Sequence, residues 1–256
     1  MRNESYGASL ASCYDRFNDG VDYAALCDFA CDMLARYCDR VPKNICEIAC
    51  GTGSLSIELA HRGYRVTSSD ISEEMLSVAD KKARDCGAEV RFVRADMRNF
   101  SLYTEADAVL CFFDSINYLT KPSDVKECFK STYGALADGG LFVFDVNSKY
   151  KFENIYSDNA YVIESGDDLL TWQNYYNEKN GMCDFYLSIF TSCDDGRYTR
   201  SDEAQREKMY TKRQLLKYAE ESGFEVIGVY SDFDLNEADE NKCERMYFVC
   251  KKTKTV

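Results

Sequence analysis

Proline, histidine and tryptophan are scarce here: the 256 residues hold two prolines, one histidine and one tryptophan. So little proline excludes a polyproline or collagen-like architecture. With His61 the only histidine, a zinc site would have to be all-thiolate. His61 itself falls near the end of an amphipathic helix and reads as a surface residue rather than a catalytic base. No stretch reaches the ~18 apolar residues of a membrane span. The amino terminus, Met1 to Leu10, lacks the apolar core of a secretory signal. Positive charge is also short. Lys and Arg number 31 against 44 Asp and Glu, a net charge of −13, which argues against nucleic acid or an anionic membrane as the main partner. The one basic cluster, Lys251-Lys252-Thr253-Lys254, reads as a solvated tail.

Cysteine, by contrast, is abundant. Its thirteen copies are scattered, none in a Cys-x-x-Cys pair. Cys46, Cys50 and Cys111 sit among apolar residues, and Cys27 and Cys31 share a helix face with Leu34 and Cys38. That pattern fits reduced cysteines packed as small hydrophobes in a cytoplasmic protein, with no disulfide framework and no metal site. Apolar content of 45% and charged content of 29% are ordinary for a soluble globular protein. The length suits one large domain, or one domain with an insertion.

The most informative stretch runs from Ile45 to Ala60, Ile-Cys-Glu-Ile-Ala-Cys-Gly-Thr-Gly-Ser-Leu-Ser-Ile-Glu-Leu-Ala. It predicts a buried strand, a turn with Gly51 and Gly53, and an amphipathic helix ending at Gly63. Glycines let the backbone approach a ligand closely, and the helix start offers unpaired N–H groups. A dinucleotide fingerprint would need a third glycine at position 56, where Ser stands, which counts against a nicotinamide-dependent oxidoreductase. Acids follow at strand spacing instead. Glu47 lies within the first strand, Asp70 closes Tyr64–Asp70, and Asp96-Met97 follows Val90–Ala95.

This series resembles the class I S-adenosylmethionine-dependent methyltransferases. The resemblance implies that the Glu47-x-x-x-Gly51-x-Gly53 loop lies under the methionine part of S-adenosylmethionine, that Asp70 binds the ribose hydroxyls, and that Asp96-Met97 reads the adenine. A carboxylate suits both hydroxyl and amino donors. The implied cofactor set is Tyr14, Glu47, Ala49, Gly51, Gly53, Asp70, Ile71, Met75, Asp96, Met97 and Phe112. Two further segments, Tyr14-Asp15-Arg16-Phe17 and Asp114-Ser-Ile-Asn-Tyr118-Leu119, look like small-molecule N-methyltransferases of glycine or sarcosine and of nucleotide-linked amino sugars.

The remaining elements follow from periodicity. A first helix is predicted from Tyr23 to Cys38. Ser72 caps another that buries Met75, Leu76, Ala79 and Ala83 and ends at Gly87. Ala106 to Phe113 is a continuous apolar run suited to a central strand. Val125 to Ala137 is a helix stopped by Gly139-Gly140, and Leu141 to Asp145 a fifth strand. Strand and helix thus alternate, implying parallel βαβ units. Beyond Asp145 come four alternating segments, Tyr161–Ile163, Leu169–Tyr176, Cys183–Ser192 and Tyr198–Lys208. Asn180-Gly181 and Asp194-Asp195-Gly196 lie between the last three as turns. Thr211 and Gln214 form a capping box, and Phe224–Tyr230 pairs antiparallel with Arg245–Cys250.

The fold class expected is α/β: a Rossmann-like seven-stranded methyltransferase sheet flanked by helices, with an antiparallel β insertion after the fifth strand. Residues 1–146 and 210–256 would form the cofactor-binding domain, and 147–209 a substrate lid or homodimer surface. The expected activity is methyl transfer from S-adenosylmethionine to a small molecule, at an amine nitrogen, by in-line displacement. Asp114, Tyr14 and Tyr118 are the catalytic candidates: Asp114 to orient or deprotonate an ammonium, the tyrosines as hydrogen-bonding neighbours. The insertion's aromatics, Tyr156, Trp172 and Phe185 among them, could wall a pocket for a cationic substrate. The alternatives are a methyltransferase for tRNA, rRNA or protein, and a non-catalytic S-adenosylmethionine-binding protein.

Overall fold

The computed structural model describes residues 6–233 and 235–253. Two helices come first, α1 (Ala8–Phe17) and α2 (Tyr23–Tyr37). Then follow β1 (Asn44–Ile48), α3 (Ser54–His61), β2 (Arg65–Asp70), α4 (Glu73–Cys86), β3 (Val90–Arg94) and β4 (Ala106–Cys111). After a 3₁₀ turn at Ser115–Tyr118 come α5 (Pro122–Ala135) and β5 (Leu136–Asn147). A π-helical turn, Lys151–Tyr156, leads into β6 (Ala160–Ser165), β7 (Asp168–Asn177), β8 (Met182–Ser192) and β9 (Tyr198–Lys208). The chain closes with α6 (Lys212–Glu221), β10 (Phe224–Tyr230) and β11 (Arg245–Lys252). No described helix is long and apolar enough to cross a membrane.

Seven strands form one sheet in the order β10-β11-β5-β4-β1-β2-β3, and β6 to β9 form a second, antiparallel sheet in sequence order. β1 to β5 run parallel, while β11 is antiparallel to both β5 and β10. The expected Rossmann-like sheet with an antiparallel insertion after the fifth strand is therefore what the chain forms. β4 is buried at every residue, as its unbroken apolar run requires of a central strand. Apolar side chains pack on both faces of the main sheet: Val109, Phe129, Phe142 and Phe144 on one, Leu26, Phe29, Ile45 and Leu110 on the other. A third cluster joins Leu10 and Cys13 of α1 to Phe152, Phe185 and Ile189 under the second sheet. Strand order reverses between β1 and β4, and a crevice opens at the carboxyl ends of such strands.

The structure corrects several local expectations. α1 has no side-chain N-cap, so it left no start signal in the sequence and was not predicted. α5 begins at Pro122 and ends at Ala135. Gly139 and Gly140 lie inside β5, where they let the strand bulge: a Cβ on Gly140 would stand 2.8 Å from the Asp107 carbonyl, and the β4–β5 register shifts there. β4 stops at Cys111 because Phe113 and Asp114 take left-handed conformations, φ 57° and 54°. No helix links β3 to β4, so the alternation breaks once. Lys251 and Lys252 are not a solvated tail but the end of β11. Lys251 pairs with Asp39 at 2.6 Å, and Lys252 is buried, its ammonium donating to the Leu136 carbonyl at 2.7 Å. Lys254 lies outside the described residues. All thirteen cysteines are free, and His61 is exposed.

Candidate active site

The turn after β1 is built on positive φ at Ala49 (54°), Gly51 (54°) and Gly53 (70°). At Gly53 the reason is steric: a Cβ would lie 2.9 Å from the Phe92 ring and 3.0 Å from Ala79. Gly51 has nothing within 4 Å of a Cβ position, and faces open space. Asp70 ties two turns together. Its carboxylate accepts from the Gly51 N–H at 2.8 Å and the Ser72 N–H at 2.9 Å. Ser72 in turn caps α4 by accepting from the Met75 N–H at 3.1 Å.

Glu47 is buried at the carboxyl end of β1, where the Ser56 hydroxyl donates to it. Desolvation pushes its pKa up to about 8, opposed by the Ser56 hydrogen bond and reinforced by the nearby charge of Asp70. Asp70 is raised as well, by burial, against the amides it accepts from.

These groups line a cleft of about 160 Å³. Of the residues expected at the cofactor, it gathers Tyr14, Glu47, Ala49, Gly51, Asp70, Ile71, Met75 and Met97. Three stand apart. Gly53 packs against Phe92 behind the turn. Asp96 is ion-paired with Arg98 at 2.5 Å. The Phe112 side chain is buried in the core beside Tyr247, and Phe113 lines the cleft in its place. The left-handed turn at Phe113 and Asp114 produces that exchange.

A second cavity of about 460 Å³ adjoins the first, and Tyr6, Tyr14, Phe113 and Tyr118 line both. The Tyr6 hydroxyl donates to Tyr118 at 2.8 Å, and Tyr118 donates to Gln205 at 3.0 Å. Asp114 lines only the second cavity. Arg245 bridges it to Asp145, with Nη2 on Asp114 at 2.8 Å and Nη1 on Asp145 at 2.7 Å. Burial opposes the Asp114 charge, but Arg245 and Lys151 outweigh it and hold its pKa below the usual carboxylate value. The adjacent Glu207 goes the other way: burial, then the charge of Asp114, raise it well above its ordinary value. The two facing carboxyls are thus pushed in opposite directions. Glu207 also accepts from the Asn147 side chain at 3.0 Å.

Tyr6, Lys151, Glu207 and Arg245 were not anticipated. They come from four distant segments, and no local motif unites them. One signal was legible for Glu207. Along the outer strand β9 the inward positions are Glu203, Gln205 and Glu207, and a strand whose inner face is polar looks onto a site rather than a core.

α1 is fastened on both sides of the crevice. Asp15 accepts from Thr52 at 2.5 Å and Lys82 at 2.6 Å. Toward the second sheet, Arg16 pairs with Asp168 at 2.6 Å, and Glu203 accepts from the Tyr6 and Gly7 amides at 3.2 and 2.7 Å.

Residues 45–140 match a family described as a methyltransferase domain. A protein of Geobacillus sp. (strain WCH70) that bears the name of a methyltransferase is 34% identical over 244 residues, covering 95% of this chain and 98% of its own length. A glycine/sarcosine N-methyltransferase of Halorhodospira halochloris is 26% identical, over 86% of this chain and 80% of its own. The crystal structure of an S-adenosylmethionine-dependent methyltransferase from Clostridium acetobutylicum ATCC 824 matches with a TM-score of 0.86 and 27% identity, covering 96% of this chain and 98% of that one.

Proposed function

Because the chain belongs to the S-adenosylmethionine-dependent methyltransferases, we propose that it methylates a small molecule at an amine nitrogen. When bound, S-adenosylmethionine supplies a methyl group already activated for displacement. The residues present fit that group. Gly51 offers a backbone surface with no side chain in the way, Asp70 offers carboxylate oxygens at the edge of the cleft, and the buried Glu47 offers an acceptor in its floor. We assign the cofactor cleft to these residues with Ala49, Ile71, Met75 and Met97. Asp96, engaged by Arg98, would have to exchange that partner to read an adenine.

The observation that carries the acceptor reading is the pairing of half-buried Asp114 with buried Glu207 in an aromatic cavity that shares a wall with the cofactor cleft. Arg245 takes one oxygen of Asp114, and the other favours an acceptor that brings N–H donors over an anionic one. An acid whose pKa is held low is a poor base and a good counter-charge. Asp114 therefore orients the nitrogen rather than removing its proton: the acceptor gives that proton to solvent first, the neutral amine takes the methyl from sulfur, and Asp114 balances the ammonium that forms. Tyr14 and Tyr118, at the junction of the two cavities, exclude water and fix the approach. The second sheet contributes Trp172, Phe185, Leu187, Gln205 and Glu207 to the cavity, which supports reading it as the substrate lid. The name of the Halorhodospira halochloris relative, a glycine/sarcosine N-methyltransferase, is consistent with nitrogen as the acceptor.

The test is formation of S-adenosylhomocysteine from S-adenosylmethionine with panels of amines, alcohols, phenols and unmodified tRNA. Turnover confined to amines is the expected result. Turnover with tRNA or with phenols alone would overturn the reading.

A further inference from the structure

We propose that Lys151 forms an anion subsite in the second cavity, so that the acceptor carries an acidic group, carboxylate or phosphoryl, in addition to its nitrogen. The nitrogen end rests on the amine reading above; the acid end rests on separate observations.

Two cations line this cavity, Arg245 and Lys151. Arg245 is committed, its guanidinium divided between Asp114 and Asp145. Lys151 is not. It rises from the π-helical turn and, among the described residues, makes no ion pair. Its ammonium stands 5.2 Å from the centre of the Tyr156 ring. The negative groups that act on it, Asp114, Glu207 and Glu244, form no ion pair with it, and Asp114 is bonded to Arg245. A largely buried ammonium with no hydrogen-bond acceptor is costly unless something brings one. The same wall holds a second donor in the same condition. The indole N–H of Trp172 is buried without an acceptor, and its ring lies 5.7 Å from that of Tyr156. Two unsatisfied donors thus flank one aromatic ring.

Size and lining add a further constraint. About 460 Å³ lies within the range of ligand sites, and Leu170, Phe185 and Phe233 give it apolar walls. The acceptor that fits has a nitrogen beside Asp114, an acid beside Lys151 and an apolar frame.

Isothermal titration of the full chain, saturated with S-adenosylhomocysteine, tests this with matched probes. The carboxylate arm compares phenylalanine, phenethylamine and 3-phenylpropionate; the phosphoryl arm compares O-phosphoethanolamine with ethanolamine. In at least one arm the amine that carries the acid should bind roughly 30-fold more tightly than the amine without it. Lys151→Gln should erase that gap and Lys151→Arg should keep most of it, with S-adenosylhomocysteine bound equally by all three proteins. The proposal falls if the plain amines bind as tightly, if Lys151→Gln preserves the gap, or if no acid-bearing probe binds. Failure of the amine reading looks different: 3-phenylpropionate would match phenylalanine and depend on Lys151, which supports the anion subsite and removes the amine.

Discussion

Glu47 keeps a proton that an exposed glutamate loses well below neutrality, because burial denies its charge any water. Its pKa rises from 4.5 to about 8, so the native state binds a proton that the unfolded chain releases. The stability this contributes is complete below pH 4.5 and is lost as pH climbs through about 8. Asp70, Asp145 and Glu207 shift in the same direction, while Asp96 and Asp107 shift the other way. Glu47→Gln should therefore flatten, without abolishing, the fall in urea midpoint between about pH 5 and about pH 8.5. An unchanged slope would show that Glu47 is ionised in the native state. Asp114→Asn tests a different role. It removes the counter-charge but keeps the shape, so kcat/KM for an amine should drop roughly 100-fold while S-adenosylhomocysteine affinity stays within about twofold. Equal losses in both would mean that Asp114 supports the cofactor cleft instead.

At the scale of elements, the two glycines of the first turn do separate work. Gly53→Ala forces a Cβ against Phe92 and Ala79 at a positive φ, which should cost about 2 kcal/mol, a fall of roughly 4–8 °C in Tm at this size. Gly51→Ala meets no neighbour but borders the cleft. It should move Tm less and weaken S-adenosylhomocysteine binding more, as thermal unfolding with and without the ligand will show. The turn, the capped α4, the capping box at Thr211 and Gln214 and the hairpins of the second sheet were all legible in the sequence, because each is a local pattern with a local cause. What escaped depends on tertiary contact. α1 is fixed by ion pairs to both sides of the crevice and by Leu10 and Cys13 in the third cluster, not by a cap. The left-handed pair at Phe113 and Asp114 interrupts an apolar run that looks continuous on paper. Most of the residues that the motif series grouped line one cleft, while Gly53, Asp96 and Phe112 do not. The charged lining of the second cavity was not legible, since Lys151, Glu207 and Arg245 meet only after β9 and β11 are in place.

Across the whole molecule, α1 spans the crevice as a strap held at Asp15 on one side and at Arg16 on the other. Asp15→Ala removes the acceptor shared by Thr52 and Lys82. Stopped-flow measurement should show S-adenosylhomocysteine leaving several-fold faster, with the unfolding midpoint shifted by about 1 kcal/mol or less. An unaltered release rate would mean that the strap does not close the cleft. The stacking of the two cavities also has a kinetic consequence. Tyr6, Tyr14, Phe113 and Tyr118 form a wall common to both chambers. An acceptor held against that shared wall should slow exchange from the cofactor cleft. Turnover should then follow an ordered sequence in which the methyl donor enters first and its spent form departs last. In steady-state inhibition the spent form would compete with the donor yet not with the acceptor, and at high acceptor concentration it would be trapped beneath a second acceptor molecule, so that excess substrate slows the enzyme.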